Sequence, residues 1–263
     1  IMMRSRPLAF RKHDDNALVG VLDIGASKVS CFIAEMVPDA IDGQDAEIIG
    51  VGHQAGDGLS GGLVGMAADA TVRGAVDKAE RMAGKGVKAW HVAVPGRYLA
   101  CRRLAVDLAL AGHPVIEEDL TDCYRKGASY AAAEKMRPLH IWPASYSIDD
   151  HEPVVDPRGL VGEQLTVGLV SLSASRTAMA NLENCLERCR ISVQSFIAAP
   201  YAAALAVLMD DEKSVGVICI DMGAARTNFT VYRNDALLYA GAVPVGSDHI
   251  SRDIAQVFGL SRD

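Results

Sequence analysis

Apolar positions along the chain fall into short runs separated by glycine-rich and acidic breaks, and the period within each run predicts its element. Ala17 to Ile24 is almost continuously apolar and ends in Asp23-Ile24-Gly25, the pattern of a buried strand followed by a turn. Lys28 to Val37 and Ala46 to Gly52 read as two more strands, with Pro38 to Asp45 a polar loop, so the chain opens as a three-stranded meander. Beyond the glycine-rich stretch Gly56 to Gly65 the period changes. Val72, Ala75, Val76, Ala79, Met82 and Ala83 share one face of a helix over Ala68 to Ala83, with Asp69 placed to cap it. Lys88 to Val94 is a further strand, stopped by Pro95-Gly96.

From 96 to 166 the texture differs, with Pro114, Pro138, Pro143, Pro153 and Pro157 and one helical stretch, Glu117 to Glu134, opened by acidic residues at its positive end. This is an inserted subdomain. Val167 to Leu172 resumes the buried-strand pattern of the first domain, Ser173 to Arg190 is a helix, Ser195 to Ile197 a last strand, and Pro200 to Met209 a connecting helix with proline in its first turn. Past the acidic break Asp210 to Lys213 the chain repeats its opening. Val217-Ile218-Cys219-Ile220-Asp221-Met222-Gly223 mirrors Val19-Gly20-Val21-Leu22-Asp23-Ile24-Gly25, and each copy is followed by a short turn and a strand. The second copy continues through a turn at Asn234-Asp235 into Ala236 to Val243 and a helix from Ser247 to Phe258, ended by Gly259.

Composition narrows the function. The net charge of −7, from 26 Lys+Arg against 33 Asp+Glu, gives no general attraction to nucleic acid. The longest strongly apolar stretch, Phe196 to Met209, is 14 residues and contains Pro200, short of the roughly 18 to 20 that span a bilayer. The six cysteines lack a CxxC, and Cys185 and Cys189 share a helical face with Met179, Leu182 and Leu186, which reads as packing rather than metal ligation. The histidines are scattered, and residues 1–16 read as a polar tail.

The repeated turn carries the chemistry. A strand-turn-strand with glycine at its bend points backbone N–H groups into a concavity that holds phosphate oxygens. An aspartate at the strand end repels phosphate but coordinates Mg²⁺, directly or through water. A single Asp-hydrophobic-Gly is also an ordinary turn. Two in the same strand context predict a nucleotide held between them, with Asp23 and Asp221 toward Mg²⁺, and Ser27 and Lys28 adding donors from the first turn. Gly246, beside the N-terminus of the last helix, is a third point compatible with an anion.

These twin turns resemble those of the actin, sugar kinase and heat-shock chaperone ATPase superfamily. More narrowly, Leu22-Asp23-Ile24-Gly25-Ala26-Ser27-Lys28-Val29, Ile49-Gly50-Val51-Gly52, Gly62-Leu63-Val64, Leu139-His140-Ile141-Trp142-Pro143 and the run from Gly246 to Ala255 resemble the bacterial cell-division FtsA family, from about Ala17 to the end. The resemblance implies an α/β, actin-like (ribonuclease-H-like) fold of mixed sheets with flanking helices. It divides the chain into a first actin-like subdomain at 17–95 and 167–200, an inserted α+β subdomain at 96–166, and the start of a second actin-like domain at 201–263. It also implies ATP with Mg²⁺, held by Gly25, Ala26, Ser27 and Lys28 in the first loop, by Gly223, Ala224, Ala225, Arg226 and Thr227 in the second, and by Gly246. The implied partners are FtsZ, further copies of the chain in a filament, and other divisome proteins through the insertion. The implied location is the cytoplasmic face of the inner membrane at the division site, reached through a C-terminal helix outside this sequence.

Two departures bear on activity. The family's second loop usually carries three glycines, two threonines and an aspartate, where this chain has Gly223-Ala224-Ala225-Arg226-Thr227-Asn228. Alanine at a position needing positive φ costs on the order of 1 kcal/mol, so the loop is expected to bend differently, with Arg226 either turned toward phosphate as a replacement cation or pointing into solvent. Relatives place a polar residue, often Glu, at the position of Ala199, which here does no acid–base work. At most a weak ATPase is expected. The competing readings are an enzyme of the same superfamily, a sugar kinase or polyphosphate hydrolase, and an actin-like adaptor of pilus or secretion machinery.

Overall fold

The structure is a computed structural model that describes residues 18–36, 46–56, 64–132 and 135–260. The expected tail, the loop from Pro38 to Asp45 and most of the Gly56 to Gly65 link lie outside the described residues.

Strands β1 (Leu18–Ile24), β2 (Lys28–Met36) and β3 (Ala46–Ala55) form the expected antiparallel meander. Helix α1 (Ala68–Ala83) returns the chain so that β4 (Trp90–Val94) lies parallel to β1, and β8 (Val193–Ala198) lies parallel to β4. The sheet order is β3-β2-β1-β4-β8. One face is covered by α1 and α3 (Arg176–Arg188), which bury Val72, Ala75, Ala79, Met179, Leu182 and Leu186 against Leu22, Ile24, Val29, Ile33 and Val92. The apolar run at the start of the chain suggests a strand buried on both faces. Instead β1 alternates, with Leu22 and Ile24 buried under α1 and α3 and Val21 and Asp23 open on the opposite face.

Two details of α1 and α3 differ from expectation. Asp69 does not cap α1. Its carboxylate accepts from Arg188 Nε and Nη2 at 2.7 and 2.8 Å, which ties the start of α1 to the end of α3 and holds the Asp69 carboxyl below its usual range. Cys185 and Cys189 do pack as expected, but Asp69 joins them, the three ligand atoms lying within 4.8 Å of one another. With both Asp69 oxygens on Arg188 and burial pushing the Cys185 thiol up to about 12, this trio works as an ion pair beside protonated thiols.

The insertion is a second sheet, ordered β5-β7-β6, from β5 (Leu99–Ala109), β6 (Met136–Ile148) and β7 (Gln164–Ser175), with α2 (Glu117–Ala131) packed on it. Val167 to Leu172, expected to rejoin the first domain, sits in the middle of this sheet, paired with β5 on one edge and β6 on the other. Its unbroken apolar pattern reflects a central strand, and the boundary drawn at 166 falls inside it. The third sheet, β11-β10-β9, is the second meander: β9 (Val217–Met222), β10 (Thr227–Arg233) and β11 (Ala236–Val243). Asn234 and Asp235 make its tight turn with φ of 52° and 61°. The acidic break is a short helix, α5 (Asp210–Val215), and the chain continues to α6 (Ser247–Phe258), closed by Gly259 at φ 61°. Helix α4 (Ala199–Val207) joins the halves. One core gathers Trp142 and Leu172 of the insertion, Ala198, Tyr201 and Ala204 around α4, and Tyr232, Leu237 and Ala240 of the third sheet, so all three units meet there.

Candidate functional site

The two repeated turns have the same geometry. In the first, Ile24 pairs with Val29, the Gly25 N–H donates to the Lys28 carbonyl at 2.9 Å, and Ala26 and Ser27 form the bend. In the second, Met222 pairs with Thr227, the Gly223 N–H donates to the Arg226 carbonyl at 2.8 Å, and Ala224 and Ala225 form the bend. The equivalence makes Arg226 the counterpart of Lys28, so each loop ends on a cation. Neither Ala224 nor Ala225 takes positive φ, so the expected penalty and altered bend do not arise. Glycine matters one residue earlier, where a Cβ on Gly25 would lie 2.9 Å from the Lys28 carbonyl and one on Gly223 3.2 Å from that of Arg226. The amides of Ala26, Ser27, Ala224, Ala225 and Arg226 donate to no described residue, which leaves them available to an anion.

Asp23 and Asp221 lie next to the last residues of β1 and β9, near enough for the charge of Asp221 to act on Asp23. Asp23 is reachable by solvent yet surrounded by protein. Desolvation raises its carboxyl above the usual range, the Asp221 carboxylate adds to the rise, and Lys28 opposes it. Asp221 accepts from Asn228 Nδ2 at 3.0 Å. Two mutually repelling carboxylates with open oxygens suit a hard divalent cation, and the adjoining loops with Lys28 and Arg226 suit phosphate. The donor set therefore fits Mg²⁺ and a polyphosphate.

Thr227 and Gly246 are tied into hydrogen bonds between the second loop and the start of α6. The Thr227 hydroxyl donates to the Val245 carbonyl at 2.7 Å. Gly246 lies directly on the second loop, where a Cβ would come within 2.4 Å of the Gly223 and Ala224 carbonyls and 2.5 Å of the Arg226 nitrogen. The next amides, of Ser247 and Asp248, donate to the Gly223 and Ala224 carbonyls at 3.0 and 2.9 Å, and the Gly246 N–H donates to His249 Nδ1 at 3.2 Å. The start of α6 thus props the loop from behind, with the Gly246, Ser247 and Asp248 amides engaged within the protein.

The sequence pattern alone does not single out the segment Pro95-Gly96-Arg97. Because β4 runs parallel to β1 with Ala93 opposite Asp23, this segment leaves its strand beside the first loop. Gly96 also abuts the second unit, a Cβ there falling 2.2 Å from Asn228 Oδ1 and 3.2 Å from Pro200. A buried strand ended by Pro-Gly-Arg is the visible signal, but its neighbour in the sheet is not. A separate groove of about 580 Å³ beside Leu139, Leu186 and Phe196 has one cation, Arg137, already paired with Glu183, and so offers little to phosphate.

The sheet order, the inserted sheet and the paired hairpins define an actin-like fold. Among solved structures, the PilM-PilN type IV pilus biogenesis complex matches 94% of this chain and 66% of its own at TM-score 0.59 and 18% identity. The ethanolamine utilization protein EutJ from Carboxydothermus hydrogenoformans matches 93% and 58% at TM-score 0.50 and 15% identity. Within that class the family described as "SHS2 domain inserted in FTSA" matches residues 96–172, and "Cell division protein FtsA" matches residues 218–263. Cell division protein FtsA of Agrobacterium fabrum is 36% identical over 98% of this chain, and that of Escherichia coli 29% identical over 94%. The chain is thus similar to FtsA proteins over nearly its whole length. It spans 59% of the length of these two relatives. No helix among the described residues is long and apolar enough to cross a membrane.

Proposed function

We propose that this chain is the nucleotide-holding part of an actin-like cell-division adaptor, which binds ATP with Mg²⁺, assembles into filaments with its own copies and links the FtsZ ring to the inner membrane. The observation that carries the nucleotide reading is the pair of equivalent hairpins, each with an aspartate, free loop amides and a cation, and with Asp221 near enough to Asp23 to raise its carboxyl. In this reading the amides of Ala26, Ser27, Ala224 and Ala225 take phosphate oxygens, Lys28 and Arg226 add charge, and Asp23 and Asp221 hold the metal, which supplies the positive charge between phosphate and carboxylates. The division role rests on kinship with proteins named for cell division. The inserted sheet is then the surface for other division proteins, and membrane attachment belongs to the whole adaptor at the cytoplasmic face of the division site.

Hydrolysis is slow or absent. At the head of α4, the residue before Pro200 is Ala199, whose methyl group neither orients water nor takes a proton. ATP acts as a structural ligand rather than a substrate.

Equilibrium binding of ATP with Mg²⁺ tests the site. Lys28→Ala and Asp23→Ala each weaken binding by about tenfold, the worth of one charge-assisted contact. Unchanged affinity in both would show that the hairpins hold something else. Turnover with Mg·ATP stays far below about 1 s⁻¹, whereas a rate near the usual enzyme range would favour the sugar kinase or polyphosphate hydrolase alternative. Sedimentation with ATP, alone and with FtsZ, reads the filament and partner claims.

A further inference from the structure

We propose that Arg97, on the segment passing between the two hairpin loops, works with Arg226 to hold the terminal phosphate of the bound nucleotide, and so makes the site prefer a nucleoside triphosphate to a diphosphate. This rests on the nucleotide reading above and goes beyond it by assigning a specificity-determining residue.

Arg97 is placed by three contacts. Ala93 pairs with Asp23, so the end of β4 emerges alongside the first loop. Gly96 is pressed against Asn228, whose Nδ2 donates to Asp221, so the next residue stands at the second loop as well. The Arg97 guanidinium then lies 5.6 Å from the centroid of the Tyr98 ring, a cation–π contact that fixes its stem and orientation.

Its electrostatic surroundings are unfavourable without an anion. Burial and the nearby Arg226 charge both work against the charged form of Arg97. Among the described residues neither Arg97 nor Arg226 forms an ion pair, whereas Arg125, Arg137, Arg158 and Arg188 each hold a carboxylate. Two partly buried guanidinium groups that feel each other's charge repel, the more so as water is excluded. A phosphate between them reverses the sign of that interaction, and each planar fork can take two of its oxygens. A terminal phosphate suits the pair best, since it carries the most charge and has three non-bridging oxygens; with the loop amides holding the two inner phosphates, only a triphosphate has a further one to offer the pair. Gly96 explains how the segment comes so close, because any side chain there would strike Asn228.

The test titrates the full chain, with Mg²⁺ present, with a non-hydrolysable ATP analogue, with ADP and with inorganic phosphate by calorimetry. Arg97→Ala is expected to lose about tenfold or more in affinity for the triphosphate analogue while ADP changes by less than about twofold, as expected for one lost charge-assisted contact. Arg97→Lys, which keeps the charge without the fork, recovers part of the loss and stands in if the alanine variant does not fold. Arg226→Ala combined with Arg97→Ala costs less than the sum of the two single losses, because both act on one phosphate. An unchanged ratio of triphosphate to diphosphate affinity in the folded Arg97 variants overturns the proposal while leaving nucleotide binding intact. Inorganic phosphate binding as tightly as the nucleotide overturns the assignment to a nucleotide's phosphate. Wild-type chain that binds neither nucleotide overturns both this inference and the reading beneath it.

Discussion

Gly52→Ala lowers the unfolding free energy by about 3 kcal/mol, the upper end of what overpacking a well-filled interior costs. The Cβ would lie 1.8 Å from the Ala75 carbonyl oxygen, 2.8 Å from its carbon and 2.9 Å from the Ala79 nitrogen. These are backbone atoms of α1, so no rotamer relieves the clash and the whole helix must lift off β3. Gly50 repeats the arrangement two residues earlier, with its Cβ position 2.5 Å from the Ala79 carbonyl. The helix contributes alanines at 75, 79 and 83 to this contact, small on both sides, and so buries Val72 and Val76 at close range. Lifting α1 therefore loosens contacts well beyond the one methyl added. The damage reaches the site too, because the Gly56 N–H at the end of β3 donates to the Ser27 carbonyl of the first loop at 3.2 Å. Urea unfolding measures the effect, with Gly65→Ala as the control: nothing lies within 4 Å of a Cβ at Gly65, and its stability change stays within about 0.5 kcal/mol. A Gly52→Ala midpoint equal to the control's would mean that β3 and α1 are not packed backbone to backbone.

That pair of glycines shows what a sequence displays and what it hides. Ile49-Gly50-Val51-Gly52 stands out as a motif, but its purpose depends on which helix lies above it, and no local period says so. Where period and punctuation agree, the elements are legible: Ala68 to Ala83 is helical over the expected residues, and Ser247 to Phe258 runs to Gly259 as its stop. The repeat at Asp23 and Asp221 is equally visible, since duplication needs no knowledge of packing. Pairing between distant strands is not visible in this way. Val167 to Leu172 looks like any buried strand, and only the ladder to β5 and β6 places it in the insertion. The same holds for Asp69, a plausible cap by position, which a distant Arg188 claims instead. Arg97 is the functional case. Its role follows from β4 lying beside β1 and from Gly96 touching Asn228, two relations between residues far apart along the chain. The second loop shows the converse error, where counting missing glycines suggests a strained bend at Ala224 and Ala225, although the geometry demands little of either φ.

Acid weakens the join between the insertion and the head of α4 through His140. Its Nε2 accepts the Ala198 N–H at 3.0 Å, which requires a neutral imidazole with that nitrogen unprotonated. The ring stacks on Trp142 at 5.1 Å and meets Tyr201 at 5.4 Å, inside the core shared by the insertion, α4 and the third sheet. Burial pushes its pKa down to about 4, from an ordinary value of about 6.5. Between those two values the unfolded chain binds a proton that the folded chain does not, so stability is complete above about pH 6.5 and is lost as pH falls toward 4. The depression corresponds to about 3 kcal/mol over the whole window, at about 1.36 kcal/mol per unit. Carboxylates titrate over part of the same range, so the informative quantity is the difference between wild type and His140→Gln. A glutamine amide oxygen can accept the Ala198 N–H at any pH, so this variant gives up some aromatic packing at neutral pH but loses the histidine's acid sensitivity. Chemical unfolding at half-unit steps from about pH 7.5 to about pH 4 should show the two stabilities converging as pH falls. Parallel curves would mean that His140 is protonated in the folded protein as readily as in the unfolded chain, and that the Ala198 hydrogen bond does not hold α4 to the insertion.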